Sequence, residues 1–108
     1  MENSAKMKRK EQRELIIQKL YEFDINKEKS ALETEYHYVN ESVSGVFEHL
    51  DKIDEIIVAN LVNWKIKRLS FVDRAIIRFA VYELYYTDTP FEIVINEALN
   101  ITRKFSDE

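Results

Sequence analysis

Five cations crowd the start of this chain. Lys6, Lys8, Arg9, Lys10 and Arg13 stand against only Glu2 and Glu11 in the first thirteen residues. That segment carries +3, so with a total of −4 the remainder carries −7. A basic end on an acidic body suits one localised anionic partner better than general attraction to polyanions. If all five cations met phosphates of single-stranded RNA, affinity would fall against log salt with a slope of about −3.5. A fourfold rise in salt would then weaken binding on the order of a hundredfold. Such contacts position a strand without reading it, because reading needs unstacked bases met by aromatics or side-chain edges. Tyr21, Tyr82 and Tyr85 are aromatic candidates, each also of a kind that half-buries in a core. Lys65, Lys67 and Arg68, followed by Arg74 and Arg78, make a second cationic zone. It either extends the basic surface or pairs with nearby acids.

Catalytic chemistry has little to stand on. With no cysteine there is neither a disulfide nor a thiolate metal site, a composition that fits a reducing compartment. The two histidines, His37 and His49, do not fall in a metal-binding spacing, and packed or surface roles suit them better. A single glycine leaves no glycine-rich loop to cradle a phosphate. The carboxylates belong to helix faces and caps. The expectation is a binding protein without catalytic residues, metal or cofactor.

The elements that must position the cations are helical. The 108 residues make one domain, 1–108, whose first seven residues read as a flexible basic N-terminus. One glycine and one proline leave few turn formers for a sheet. No apolar core of a secretory signal follows the basic start, so a soluble, cytoplasmic protein with no membrane contact is expected. A helix runs from about Lys8 to Asp24, with Ile16, Leu20 and Phe23 on one stripe and Ile17 and Tyr21 widening it. Lys6, Arg9 and Arg13 continue that face toward the N-terminus, where the macrodipole disfavours cations. Tyr36, Val39, Val43, Val46, Leu50, Ile53 and Ile57 keep heptad register, as one helix from Tyr36 to Leu61 of ~39 Å or two with a break near Asp51. Ser42, Gly45 and His49 share a strip where another helix should cross closely. Trp64 is expected to enter the core.

Ser70 and Asp73 form a capping box that opens a helix apolar on nearly every side, with a polar seam through Arg74, Arg78 and Tyr82. Such a helix is buried by several neighbours at once, and it is too short and too charged to span a bilayer. Thr89 as N-cap, Pro90 at the first helical position and Glu92 start a last helix, whose stripe is Val94, Ala98, Ile101 and Phe105.

These residues also carry a resemblance. Arg13-Glu14 with Gln18 and Leu20-Tyr21, the Ser44-Gly45-Val46 turn, Val72-Asp73-Arg74-Ala75-Ile76-Ile77-Arg78 with Tyr82-Glu83-Leu84, and Pro90 with Ile95-Asn96-Glu97-Ala98 resemble the NusB family of transcription antitermination factors over about residues 8–106. The resemblance implies an all-α bundle of two packed three-helix subdomains and no catalysis. It implies partnership with NusE, a ribosomal protein, on boxA-type single-stranded RNA of ribosomal RNA leader transcripts, within the transcription elongation complex. Carried over by position, Lys8, Arg9, Lys10, Arg13 and Tyr21 would bind RNA, and Tyr21 and Glu83 would meet the protein partner. Asn96 and Glu97 would brace helix packing. Glu11 interrupts an arm that is more uniformly basic in the family. The family's closing helix, with its Phe-Val-Asn-Gly-Val-Leu-type stretch, has no counterpart, and an apolar groove left open there could drive homo-oligomerisation. Two other readings stand beside this one: an accessory domain like those fused to RNA cytosine methyltransferases, and a helical adaptor that binds only proteins.

Overall fold

Residues 6–28, 33–63 and 65–105 are described in this computed structural model. Among them run five α-helices, α1 (Arg9–Asn26), α2 (His37–Glu48), α3 (Leu50–Asn60), α4 (Phe71–Tyr86) and α5 (Phe91–Phe105), with a 3-10 turn at Ile66–Arg68 and no strand. Trp64 and the chain termini lie outside the described residues.

α4 is the axis of the molecule and touches all four other helices. It begins where the sequence places it, with the Asp73 amide donating to Ser70 Oγ at 3.0 Å. Ala75, Ile76, Phe79 and Tyr82 are buried in a single core with Ile16, Ile17 and Leu20 of α1, Val39, Val43 and Val46 of α2, and Ile53 and Ile57 of α3. The heptad positions are thus the buried ones, with Tyr36 and Leu50 packed at the core's edge. The register is carried by two helices, with His49 between them. Ser42 is buried on the strip expected to meet another helix, and a Cβ at Gly45 would overlap the Tyr82 ring of α4. Only a residue without a side chain lets α2 and α4 approach this closely there.

The polar seam of α4 turns inward. Arg74 Nε donates to Asp24 Oδ2 at 2.9 Å, and its terminal nitrogen reaches the Ile66 carbonyl at 3.1 Å. Arg78 grips Asp54 through two parallel bonds of 2.8 Å and Asp24 through a third of 3.2 Å. Burial works against the Arg78 cation, but the bonds to Asp54 and the charge of Asp24 outweigh it and raise its pKa above the ordinary value. The network ties α1, α3 and α4 together. Arg74 and Arg78 therefore do not join a second cationic surface; only Lys65, Lys67 and Arg68 remain exposed there.

α5 starts one residue later than its cap residues suggest, with the Pro90 carbonyl accepting from the Ile93 and Val94 amides. The Thr89 hydroxyl is drawn instead to Glu83 Oε2 at 3.4 Å. Val94 and Ile101 are buried as expected, whereas Phe105, expected in the same stripe, is 47% exposed. It lines an apolar groove of about 570 Å³ with Met7, Leu15, Ile17, Tyr21 and Val72.

Candidate nucleic-acid interface

The basic segment is held in place before its helix begins. The Met7 amide donates to Tyr36 Oη at 3.1 Å, and the Gln12 side chain returns to the Met7 carbonyl at 3.1 Å. The Lys8 amide donates to Glu11 Oε1 at 2.8 Å. Glu11, the break in the cationic run, is therefore the carboxylate that caps α1. It sits in the first turn, where the helix dipole favours a negative charge. Lys6, Lys8, Arg9 and Lys10 are all exposed around this tip.

Arg9 rests against the molecule without being buried in it. Its guanidinium carbon sits 3.8 Å from the centroid of the Tyr38 ring, a direct cation–π contact. Among the described residues no carboxylate pairs with it. The Tyr38 hydroxyl donates to Glu83 Oε2 at 2.7 Å. Burial, then the hydrogen bond to Glu83 and the Glu83 charge, push the Tyr38 phenol well above its ordinary pKa, against the weaker pull of Arg13 and Arg9. The ring is thus a neutral donor, fixed from below by a carboxylate.

Arg13 and Glu83 form the floor. Arg13 is 7% exposed and Glu83 2%. Arg13 Nε stands 3.6 Å from Glu83 Oε1, an ion pair too long to be a hydrogen bond. Glu83 also receives the Thr89 hydroxyl, so α1, α2, α4 and the α4–α5 corner converge on one carboxylate. Among the described residues Arg13 Nε and Glu97 Oε1 are buried without a hydrogen-bond partner, and both residues line one small cavity with Glu83. Glu97 lies against the helix packing and Asn96 faces outward.

The residues singled out in the sequence therefore divide. Lys8, Arg9 and Lys10 share the surface at the α1 tip, while Arg13 and Glu83 lie beneath it, facing each other. Tyr21 is half-buried on the groove side of α1, edge-on to Phe71 with centroids 6.4 Å apart. Tyr82 is buried in the core and Tyr85 is 60% exposed at the end of α4. His49 stacks on Tyr86 at 3.9 Å, a packing role. His37 is exposed beside Glu41 at 3.4 Å. Among the described residues no group of His, Cys, Asp or Glu could hold a metal ion. The residue that sequence reading passed over is Tyr38. It lies off the heptad stripe, one helical residue beyond Tyr36's neighbour His37, and only the fold shows that it sits under Arg9.

Comparison with known proteins agrees with this arrangement. The NusB family model matches residues 3–108. The chain is 38% identical to the transcription antitermination protein NusB of Bacillus subtilis, over 94% of this chain and 85% of the relative. It is 41% identical to the same protein of Bacillus cereus, over 94% and 87%. The solved structure of T. maritima NusB superposes with a TM-score of 0.81 at 28% identity, covering 94% of this chain and 80% of that one. A protein chain in the crystal structure of a plectonemic RNA supercoil superposes with a TM-score of 0.80 at 26% identity, covering 93% and 83%. With an all-helical body organised around α4 and a family match along nearly its whole length, this chain belongs to the NusB family of transcription antitermination proteins.

Proposed function

We propose that the chain works in transcription antitermination by binding boxA-type single-stranded RNA through the α1 tip, in partnership with the ribosomal protein NusE. The observation that carries this reading is the exposed cluster of Lys6, Lys8, Arg9 and Lys10 on a body of opposite net charge. Acidic residues elsewhere repel a polyanion, so the strand is directed to this end. A relative of similar fold is found in a crystal structure of RNA, which supports the same partner class.

On this reading Lys8, Arg9 and Lys10 touch the RNA. Arg13 and Glu83, too buried to meet a partner directly, hold the surface in shape by pairing with each other. Tyr21 stands at the junction of α1 with the groove, where RNA-bound and protein-bound faces would meet. The chain carries out no catalysis and needs no cofactor. None of the described helices is long and apolar enough to cross a membrane, and work on nascent transcripts places the protein in the cytoplasm.

Filter binding to a boxA-like RNA, with and without NusE, tests the proposal. Affinity should be modest for the chain alone, steeply salt-dependent, and raised by the partner. Binding that is indifferent to both salt and NusE would refute it.

A further inference from the structure

The contact between Arg9 and Tyr38 has a geometry that a phosphate-binding cation does not need. A guanidinium that serves only as a charge gains nothing from a seat over a ring, and lysine, as at positions 8 and 10, would do as well. Here the guanidinium carbon sits over the Tyr38 ring, 3.8 Å from its centroid, while the residue remains exposed. Arg13 approaches the same ring at 5.7 Å. The ring cannot swing away, because its hydroxyl is bonded to Glu83 at 2.7 Å. Glu83 is in turn 2% exposed and held from α1, α2 and the α4–α5 corner. Donating that proton to a carboxylate also makes the ring richer in electrons, which strengthens its hold on the cation.

We propose that Arg9, laid on Tyr38, is a stacking platform for one unpaired nucleobase, so that this site takes a base as well as a phosphate. Planar guanidinium groups stack on bases as aromatic rings do. With its inner face fixed, Arg9 loses little conformational freedom when a base covers its outer face. Lys8 and Lys10, on either side in sequence, supply the phosphate contacts that hold the strand over it. Tyr38 is then a positioning residue that acts through Arg9. The inference rests on the RNA reading above and adds a nucleobase subsite to it.

The test uses single-stranded RNA oligonucleotides carrying 2-aminopurine, a base whose fluorescence falls when it stacks, at one position at a time. The native chain should quench one position beyond the others. Arg9→Lys keeps the charge and the fold but removes the plane. It should abolish that quench and weaken binding on the order of tenfold, with the salt slope unchanged. Arg9→Ala should in addition lower the slope by about 0.7. Tyr38→Leu should match Arg9→Lys, and Tyr38→Phe, which keeps the ring, should restore most of the quench. If Arg9→Lys binds and quenches like the native chain, Arg9 is a phosphate contact only and the base subsite is wrong. If the native chain binds no RNA at all, the functional reading beneath it falls first, so the two failures are distinguishable.

Discussion

Two sets of basic residues in this chain meet opposite fates. At the α1 tip Lys8, Arg9 and Lys10 stand exposed, and the carboxylate of Glu11 is occupied with the Lys8 amide. On α4 Arg74 and Arg78 are enclosed by Asp24 and Asp54 in bonds of 2.8–3.2 Å. Side-chain type does not separate the two sets; the supply of carboxylates from other helices does. Where acids converge, arginine becomes a clamp between helices. Where they are absent or already engaged, the same charge is left for a partner. Arg13 belongs with the clamps although it is coded in the basic segment, because Glu83 lies below it.

The contrast is broken most forcefully at Arg78. Arg78→Ala should leave Asp24 and Asp54 without their shared cation and destabilise the fold by about 3–5 kcal/mol, measured by urea unfolding. The RNA affinity of the molecules that remain folded should not change. Glu83→Ala comes next, at about 2–4 kcal/mol, since it strands a buried guanidinium and the Tyr38 hydroxyl together. A loss there below about 0.5 kcal/mol, the size of a surface effect, would mean that Arg13 is not a clamp.

A milder perturbation comes from alkali. Burial and Glu83 raise the phenol of Tyr38, and burial with nearby glutamates raises that of Tyr82. Both groups bind protons more tightly folded than unfolded, so the stability they contribute is intact below pH ~10. It declines as pH rises through their higher folded values. Urea midpoints should therefore fall as pH rises above about 10, and fall less in Tyr38→Phe. The smallest effect on stability is expected at the tip itself. Lys8→Ala with Lys10→Ala should shift unfolding by no more than about 0.5 kcal/mol. The same pair should reduce the salt slope of RNA binding by about 1.4. A stability loss as large as that at Arg78 would erase the distinction between the two sets.

Much of the fold was legible because it is written in local periodicity. The heptad from Tyr36 to Ile57 named the buried residues of α2 and α3, and the apolar circumference of the 70–84 stretch marked α4 as the helix that all others touch. Gly45 announced a close crossing. The exposed basic tip of α1 was legible too, since a run of like charge is visible in one dimension. The pairings were not. Asp24 and Arg78 are separated by 54 residues, and Tyr38 and Glu83 by 45. Nothing in the spacing of either partner marks the other. Arg13 therefore reads as one more surface cation, and Arg74 and Arg78 as a second basic zone, until the helices are folded together. Thr89 shows the same limit on a smaller scale, because a hydroxyl suited to capping α5 is claimed by a carboxylate on α4.

The bond from the Met7 amide to Tyr36 Oη fixes more than a terminus. It sets the direction from which the backbone enters α1, and thereby the azimuth of each side chain that follows. Arg9 and Lys10, as consecutive helical residues, diverge by about 100° around the axis. With Arg9 pinned on Tyr38, Lys10 must project well away from it. A polyanion engaging both has to curl over the end of the rod instead of running along its side, so short, sharply bent strands should be favoured over long straight ones.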